Sequence, residues 1–431
     1  MHRMFVKLRD WDRAALAAIW GLKHALRYRK CSAVLVNSFA NLFHTAYHVG
    51  FSESIVWMQE RSLVIVADNV QRVDADYLEA VVRYYTALFL CQTLRSKKTL
   101  SIELGKVVLQ INDKLLHQPN EWQIIPILCE LLLSHRRIGD TVQTLQNLRH
   151  LVRHSQHRTG HIWYYAICLD VLLDTSCCIA SYRTCEHFYF KNRESFLGRR
   201  ERYATSRLFA NLWLWCVRYG AWTAAENWLV LLQDQFALSA HDSTINVNTA
   251  LRIAEGLILT LIQHIEARNA AMIARLRTTI EQLLERVEEA LAISKNHVAK
   301  FELMRIYYRQ VVAPSSRVLR WLAGAARRAH SRNDHLCYDH INHTAKFWNR
   351  ELPPALETFW LDHGAGNEPR HNAASGGGGG VEIAAQAHSQ SFTAGSTFGI
   401  SNEQLYDFAS CVQNHERIYP YSMPLPRARF R

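Results

Sequence analysis

The chain has 431 residues, 49% of them apolar, with a formal charge of +12 and a pI near 9.3. That much apolar surface excludes a disordered chain and suits two or three ordinary domains or one extended array. With only 9 prolines and 18 glycines, many of the latter between 364 and 380, the rest of the sequence is poor in helix breakers and reads as all-α.

The start, Met1 to Lys30, is basic and amphipathic, carrying Phe5, Leu8, Trp11 and Ile19. It has no continuous apolar core of signal-peptide type, and Asp10 and Asp12 argue against a mitochondrial presequence. Residues 31–52 carry no formal charge, but Asn37, Asn41, His44 and His48 fall inside the window. Desolvating each in hydrocarbon costs several kcal/mol (roughly), so the segment reads as a buried helix and no membrane span is expected. Ser62–Ala67 has β-branched character, yet a lone strand there would lack a partner.

Further helices are expected at about 11–27, 32–48, 53–67, 75–95, 100–116, 121–137, 140–155, 161–175, 203–219, 222–238, 297–311, 315–331 and 335–349. In 272–291 the apolar residues Met272, Leu276, Ile280, Leu283, Leu284, Val287 and Leu291 step by three and four, the pattern of a one-sided surface helix. In 247–265 apolar residues wrap further round, which predicts burial on more than one side. Short turns containing Gly139 and Gly220 join adjacent helices, and Ala225 follows Gly220 where a small side chain lets the second helix approach the first.

These hairpins resemble tetratricopeptide repeats, most closely over Tyr219-Gly220-Ala221-Trp222-Thr223-Ala224-Ala225-Glu226-Asn227-Trp228-Leu229. The interval from Gly139 to Gly220 is no multiple of the ~34-residue repeat, so the expected fold is an irregular TPR-like α-solenoid over 1–363. Long Trp- and Cys-rich arrays of this kind also resemble the C-terminal helical part of soluble (type 10) adenylate cyclases, chiefly at 205–232 and 317–348. That resemblance implies a helical portion without the catalytic domains, and no catalytic residue is carried over.

From His363 the composition shifts to Gly, Ser, Thr and Ala, which predicts a flexible linker at 364–399. A short amphipathic helix and a basic tail are expected at 400–431. Ser401 and Gln404 have capping-box spacing, and Leu405, Phe408 and Val412 form one stripe able to dock in a groove.

Candidate chemistry is sparse. His150, His154, His157 and His161 share a helical face, but Gly160 is expected to break that helix and no Glu completes a metalloprotease pattern. Asp334, His335, Cys337, Asp339, His340 and His343 read as an exposed face of the last helix. Cys177, Cys178, Cys185 and His187 place thiol and imidazole near one another without a visible oxyanion hole. The ten scattered cysteines read as reduced thiols in a cytoplasmic protein. No catalytic residue, metal site or cofactor is expected. Trp213, Trp215, Trp222 and Trp228 are the candidates for a concave interaction groove. The expected partners are proteins; the positive charge leaves nucleic acid as a further alternative, although most Lys and Arg are interleaved with Glu as on solvated helix faces.

Overall fold

The computed structural model describes residues 1–8, 10–27, 32–49, 56–68, 75–114, 121–155, 158–197, 202–235, 243–363 and 418–427. Among these residues the secondary structure is entirely helical. Helices α1 (His2–Lys7), α2 (Trp11–Arg27), α3 (Ser32–Val49), α4 (Val56–Asp68), α5 (Ala75–Leu94) and α6 (Lys98–Lys114) precede α7 (Glu121–Ser134). Next come α8 (Ile138–Ser155), α9 (Arg158–Thr175), the short α10 (Tyr182–Lys191), α11 (Arg202–Tyr219), α12 (Trp222–Gln235), α13 (Ser243–Glu266) and α14 (Ala270–Ile293). The series ends with α15 (Val298–Val312), α16 (Val318–Ser331), α17 (His335–Trp348), α18 (Pro354–Glu357) and α19 (Phe359–His363). Ser62–Ala67, despite its β-branched run, lies inside α4. No helix among the described residues is long and apolar enough to cross a membrane.

Six of the junctions between successive helices share one turn. Arg136 is left-handed at φ 60°; its N–H donates to Leu133 O at 2.8 Å, and Arg137 N donates to Leu132 O at 2.9 Å. The same pair of bonds closes the helices before Ser96, Gly220, Arg268, Asn333 and Arg350, each left-handed as well. This is a Schellman arrangement, and it satisfies carbonyls that the helix end leaves free. Glycine occupies the left-handed position only at Gly220. Gly139, read from the sequence as a turn residue, sits in the first turn of α8 with an open surround, and Arg136 makes the turn instead.

Two apolar cores form, and α7 separates them. Its Ile124, Leu128, Leu131 and Leu132 face the first core, with Phe43, Tyr84 and Phe89 from α3 and α5. Ile125, Cys129 and Leu133, four residues apart along the helix, face the second core. The chain also curls back on itself, for α7 packs against both α13 and α17. Lys98 Nζ reaches Asp334 Oδ2 at 3.2 Å and Arg136 Nε reaches Asp339 Oδ2 at 3.1 Å, closing the curl.

Candidate functional site

The interior of the curl is charged. Helix α9 carries Asp170 and Asp174 one turn apart inside an otherwise apolar run, so both carboxylates project from one face into the centre. Arg207 of α11 grips Asp170 through Nε, at 2.9 Å to Oδ1 and 3.1 Å to Oδ2, and donates through Nη2 to Glu130 Oε1 of α7 at 2.8 Å. Arg252 of α13 forks onto Asp174, Nη1 to Oδ1 at 2.7 Å and Nη2 to Oδ2 at 2.6 Å. Arg218 donates to Glu255 Oε1 at 2.7 Å and to Leu173 O at 2.7 Å. Lys300 Nζ reaches Asn248 Oδ1 at 3.0 Å and Asp174 Oδ1 at 3.7 Å, while His297 Nε2 lies 3.2 Å from Glu130 Oε2.

Each Arg and Lys of this network faces a carboxylate. Burial opposes ionisation of Asp174, yet Arg252 and Lys300 outweigh it and hold the carboxyl well below its ordinary range. Burial likewise opposes the charge on Arg252, and Asp174 and Asp170 overcome it. For Glu130 the desolvation cost is outweighed by Arg207 and by the hydrogen bonds from His297 and Asn248. A cavity of about 70 Å³ remains at the centre, bordered by Lys98, Glu130, Asp174, Lys300, His340 and Met423. At ~30 Å³ of liquid volume per molecule it accommodates about two waters.

An extended segment, 418–427, lies over this interior, where the sequence suggested only a tail. Its main chain is read by side chains of the helical body. Ser176 Oγ donates to Tyr419 O at 2.8 Å, Trp348 Nε1 to Met423 O at 2.8 Å, and Tyr307 Oη to Pro424 O at 2.8 Å. Tyr419 N donates to Thr175 O at 3.3 Å, and His343 Nε2 meets Ser422 Oγ at 2.9 Å. Tyr419 stacks on Phe359 with centroids 3.7 Å apart. Tyr421 stands edge-on to Trp360 at 5.2 Å and beneath the Arg218 guanidinium at 4.5 Å. Met423, 3% exposed, borders the cavity.

The sequence-selected residues distribute unevenly relative to this segment. Trp213, Trp215 and Trp228 are buried and Trp222 is half-buried. Trp215 stacks on Tyr182 at 3.9 Å, Trp228 Nε1 donates to Tyr182 Oη at 3.0 Å, and Trp213 lies against Gly256 of α13. Trp213, Trp215 and Trp228 fill the interior around α10–α13, whereas Trp348 and Trp360 contact the C-terminal segment. Leu405, Phe408 and Val412 lie outside the described residues.

The histidines on α17 require a correction. Their face is turned inward rather than exposed: Asp334 and Cys337 are buried, His340 Nε2 bonds Asp174 O at 2.8 Å, and His343 contacts the C-terminal segment. The curl of the array brings α17 onto α9, an approach that no local pattern announces. The helix does break before His161, since α8 ends at Ser155 and α9 begins at Arg158, but Gly160 lies in the first turn of α9 and not at the break. His157 is outside the described residues, while His161 is buried against Phe188 and burial lowers it to about 4. Cys185 is fully buried and its thiol is pushed well up, the reverse of an activated nucleophile. Among the described residues no group of three or more His, Cys, Asp or Glu is placed to hold a metal ion.

Sequence reasoning passed over Asp170, Asp174, Arg207 and Arg252. A signal was present: a carboxylate inside an uninterrupted apolar helix, as in Leu169-Asp170-Val171-Leu172-Leu173-Asp174, has to be buried and therefore paired.

No family model matches this chain, and no solved structure matches it. The chain is 22% identical to adenylate cyclase type 10 of Homo sapiens over 287 residues, 65% of this chain. The chain spans only 17% of that relative's length. This weak match agrees with the resemblance seen in the sequence.

Proposed function

We propose that this chain is a non-catalytic interaction module, an irregular TPR-like solenoid akin to the helical regulatory part of a soluble adenylate cyclase, with a groove that takes an extended peptide. The observation that carries this reading is the way 418–427 is bound. Three of its carbonyls accept hydrogen bonds from Ser176, Trp348 and Tyr307, while Tyr421 and Met423 are buried. Main-chain contacts supply affinity and side-chain pockets supply selectivity, as in other modes of extended-peptide recognition. The segment acts as a ligand in cis, and the partner is a protein offering a similar aromatic- and Met-Pro-containing stretch. The ion network beneath holds α7, α9, α11, α13 and α15 in register so that the groove keeps its shape. The match to adenylate cyclase type 10 supports a place in cyclase-type signalling. Nucleic acid is disfavoured as the groove's occupant, since Arg207, Arg218 and Arg252 are each paired with a carboxylate.

The test uses a fluorescent peptide of residues 417–427 and the full chain. A tethered segment competes at an effective concentration on the order of mM. The peptide is expected to bind the wild-type chain weakly and the Tyr421→Ala chain at least tenfold more tightly. Equal, weak binding to both chains, with the variant still folded by circular dichroism, overturns the reading.

A further inference from the structure

The surface of α1 and α2 is unlike the rest of the molecule. Among the described residues fourteen large apolar side chains are exposed, and seven of them lie in the first 26 residues: Met1, Met4, Leu8, Leu16, Ile19, Trp20 and Leu26. Charge concentrates in the same place. Residues 1–30 hold eight Lys and Arg against only Asp10 and Asp12, so they carry six of the chain's net +12 charges.

Helix α2 shows how the two features combine. Its inward face is made of small residues, with Ala14, Ala18, Leu22 and Ala25 buried against the body. Leu16, Ile19, Trp20 and Leu26 fall on the opposite face, where Trp20 is 66% exposed and Leu16 61%. Lys23 and Arg27 share that outward face, at helical steps of three, four and seven from those apolar residues, and both are exposed. From Arg13 to Arg27 there is no acidic residue. A surface helix ordinarily keeps its large apolar residues inside; here the larger ones point to solvent. The small inward face allows α2 to lie close on α3, which leaves the bulky face available.

We infer that this face docks on the surface of an anionic lipid bilayer. Trp and Leu side chains inserted at the headgroup level, with Lys and Arg beside them, are the elements of an interfacial amphipathic helix. Each cation near such a surface adds to binding, and salt screens that contribution. Charge complementarity decides the occupant: a neutral apolar protein surface would leave Lys23 and Arg27 without compensation at the centre of the contact. The contact is peripheral, since no helix among the described residues is long and apolar enough to cross the bilayer.

Vesicle flotation of the full chain tests the inference, with phosphatidylcholine vesicles set against mixed phosphatidylcholine–phosphatidylserine vesicles. The chain is expected to float with the anionic vesicles alone, and less as salt rises. Lys23→Glu with Arg27→Glu is expected to weaken binding at least tenfold, in keeping with two cations lost near an anionic surface. Trp20→Ser, a change at an exposed position, is expected to weaken it as well. Flotation with neither vesicle, equal flotation with both, or variants that bind like wild type overturns the inference. A concentration-dependent dimer that Trp20→Ser dissolves also overturns it, by assigning the patch to self-association.

Discussion

The guanidinium of Arg218 stands 4.5 Å from the ring centroid of Tyr421. It also lies 4.8 Å from the Trp360 ring centroid and donates to Glu255 and to the carbonyl of Leu173, so one residue belongs to both the buried ion network and the contacts of the C-terminal segment. Release of the segment therefore exposes part of a charge system that is otherwise buried.

Tyr421→Ala removes an aromatic side chain that is 8% exposed, together with its cation–π contact. An aromatic-to-Ala change in a packed site costs about 3–5 kcal/mol, a loss directed at the segment rather than at the helices. Hydrogen exchange of the amides in 418–427 is expected to accelerate strongly while α9 and α13 keep their protection. Trp348→Phe, which removes the donor to Met423 O, is expected to give a smaller acceleration, about 1 kcal/mol.

The two glycines prominent in the sequence are expected to respond oppositely to alanine. Gly220 has φ +72°, so Gly220→Ala imposes a left-handed conformation on an L-residue and destabilises by about 1–2 kcal/mol. Gly139 is exposed within the first turn of α8, with nothing near the position of a Cβ. Gly139→Ala is expected to stabilise by about 0.5–1 kcal/mol. Urea unfolding of both variants checks the pair.

Gly256→Ala is expected to be worse than either. A Cβ there would lie 2.5 Å from Trp213 Cη2, and Trp213 is 2% exposed with no room to retreat. Overpacking of this kind costs about 1–3 kcal/mol or more. Near-ultraviolet circular dichroism should show the indole displaced along with a lowered urea midpoint.

Asp174→Asn leaves the buried Arg252 with only a 3.4 Å contact to Asp170 as ionic compensation. Breaking a buried pair in this way costs about 3–5 kcal/mol. Asp174 is held well below its unfolded range, so its contribution is complete above about pH 4 and is lost as pH falls through the folded value. The cost of the variant is thus expected to be the same at pH 7 and at pH 5.

His161 behaves differently with pH. Burial lowers it from 6.5 to about 4, so the unfolded chain takes up a proton that the folded chain refuses between those values. Stability from this group is complete above pH 6.5 and declines as pH falls toward 4. His161→Gln removes that decline, with an expected relative gain of about 1 kcal/mol near pH 5 after allowing for solvent screening. A urea-unfolding series across pH 7 to 5 should show the variant with the shallower slope.

The sequence by itself determined where the helices lie. Trp11–Arg27, Ala75–Leu94 and His335–Trp348 were legible within a residue or so, because a 3.6-residue apolar period is a local property and breakers are scarce. The turn at Arg136 was misassigned to Gly139 because a left-handed cap is favoured by glycine without requiring it, and the capping bonds hold Arg, Ser and Asn there equally. What only the tertiary structure decided is which charged faces are solvated. Asp170, Arg207, Arg252 and Lys300 come from four helices scattered along the chain, and their pairing depends on the curl that sets α7 against α13 and α17. The contacts of the C-terminal segment followed the same rule: aromatic content alone does not tell Trp213, whose ring packs into the space at Gly256, from Trp348, which reaches Met423 O. Periodicity records which side of a helix is apolar, whereas the identity of the surface that meets the other side arises from contacts between residues far apart in the chain.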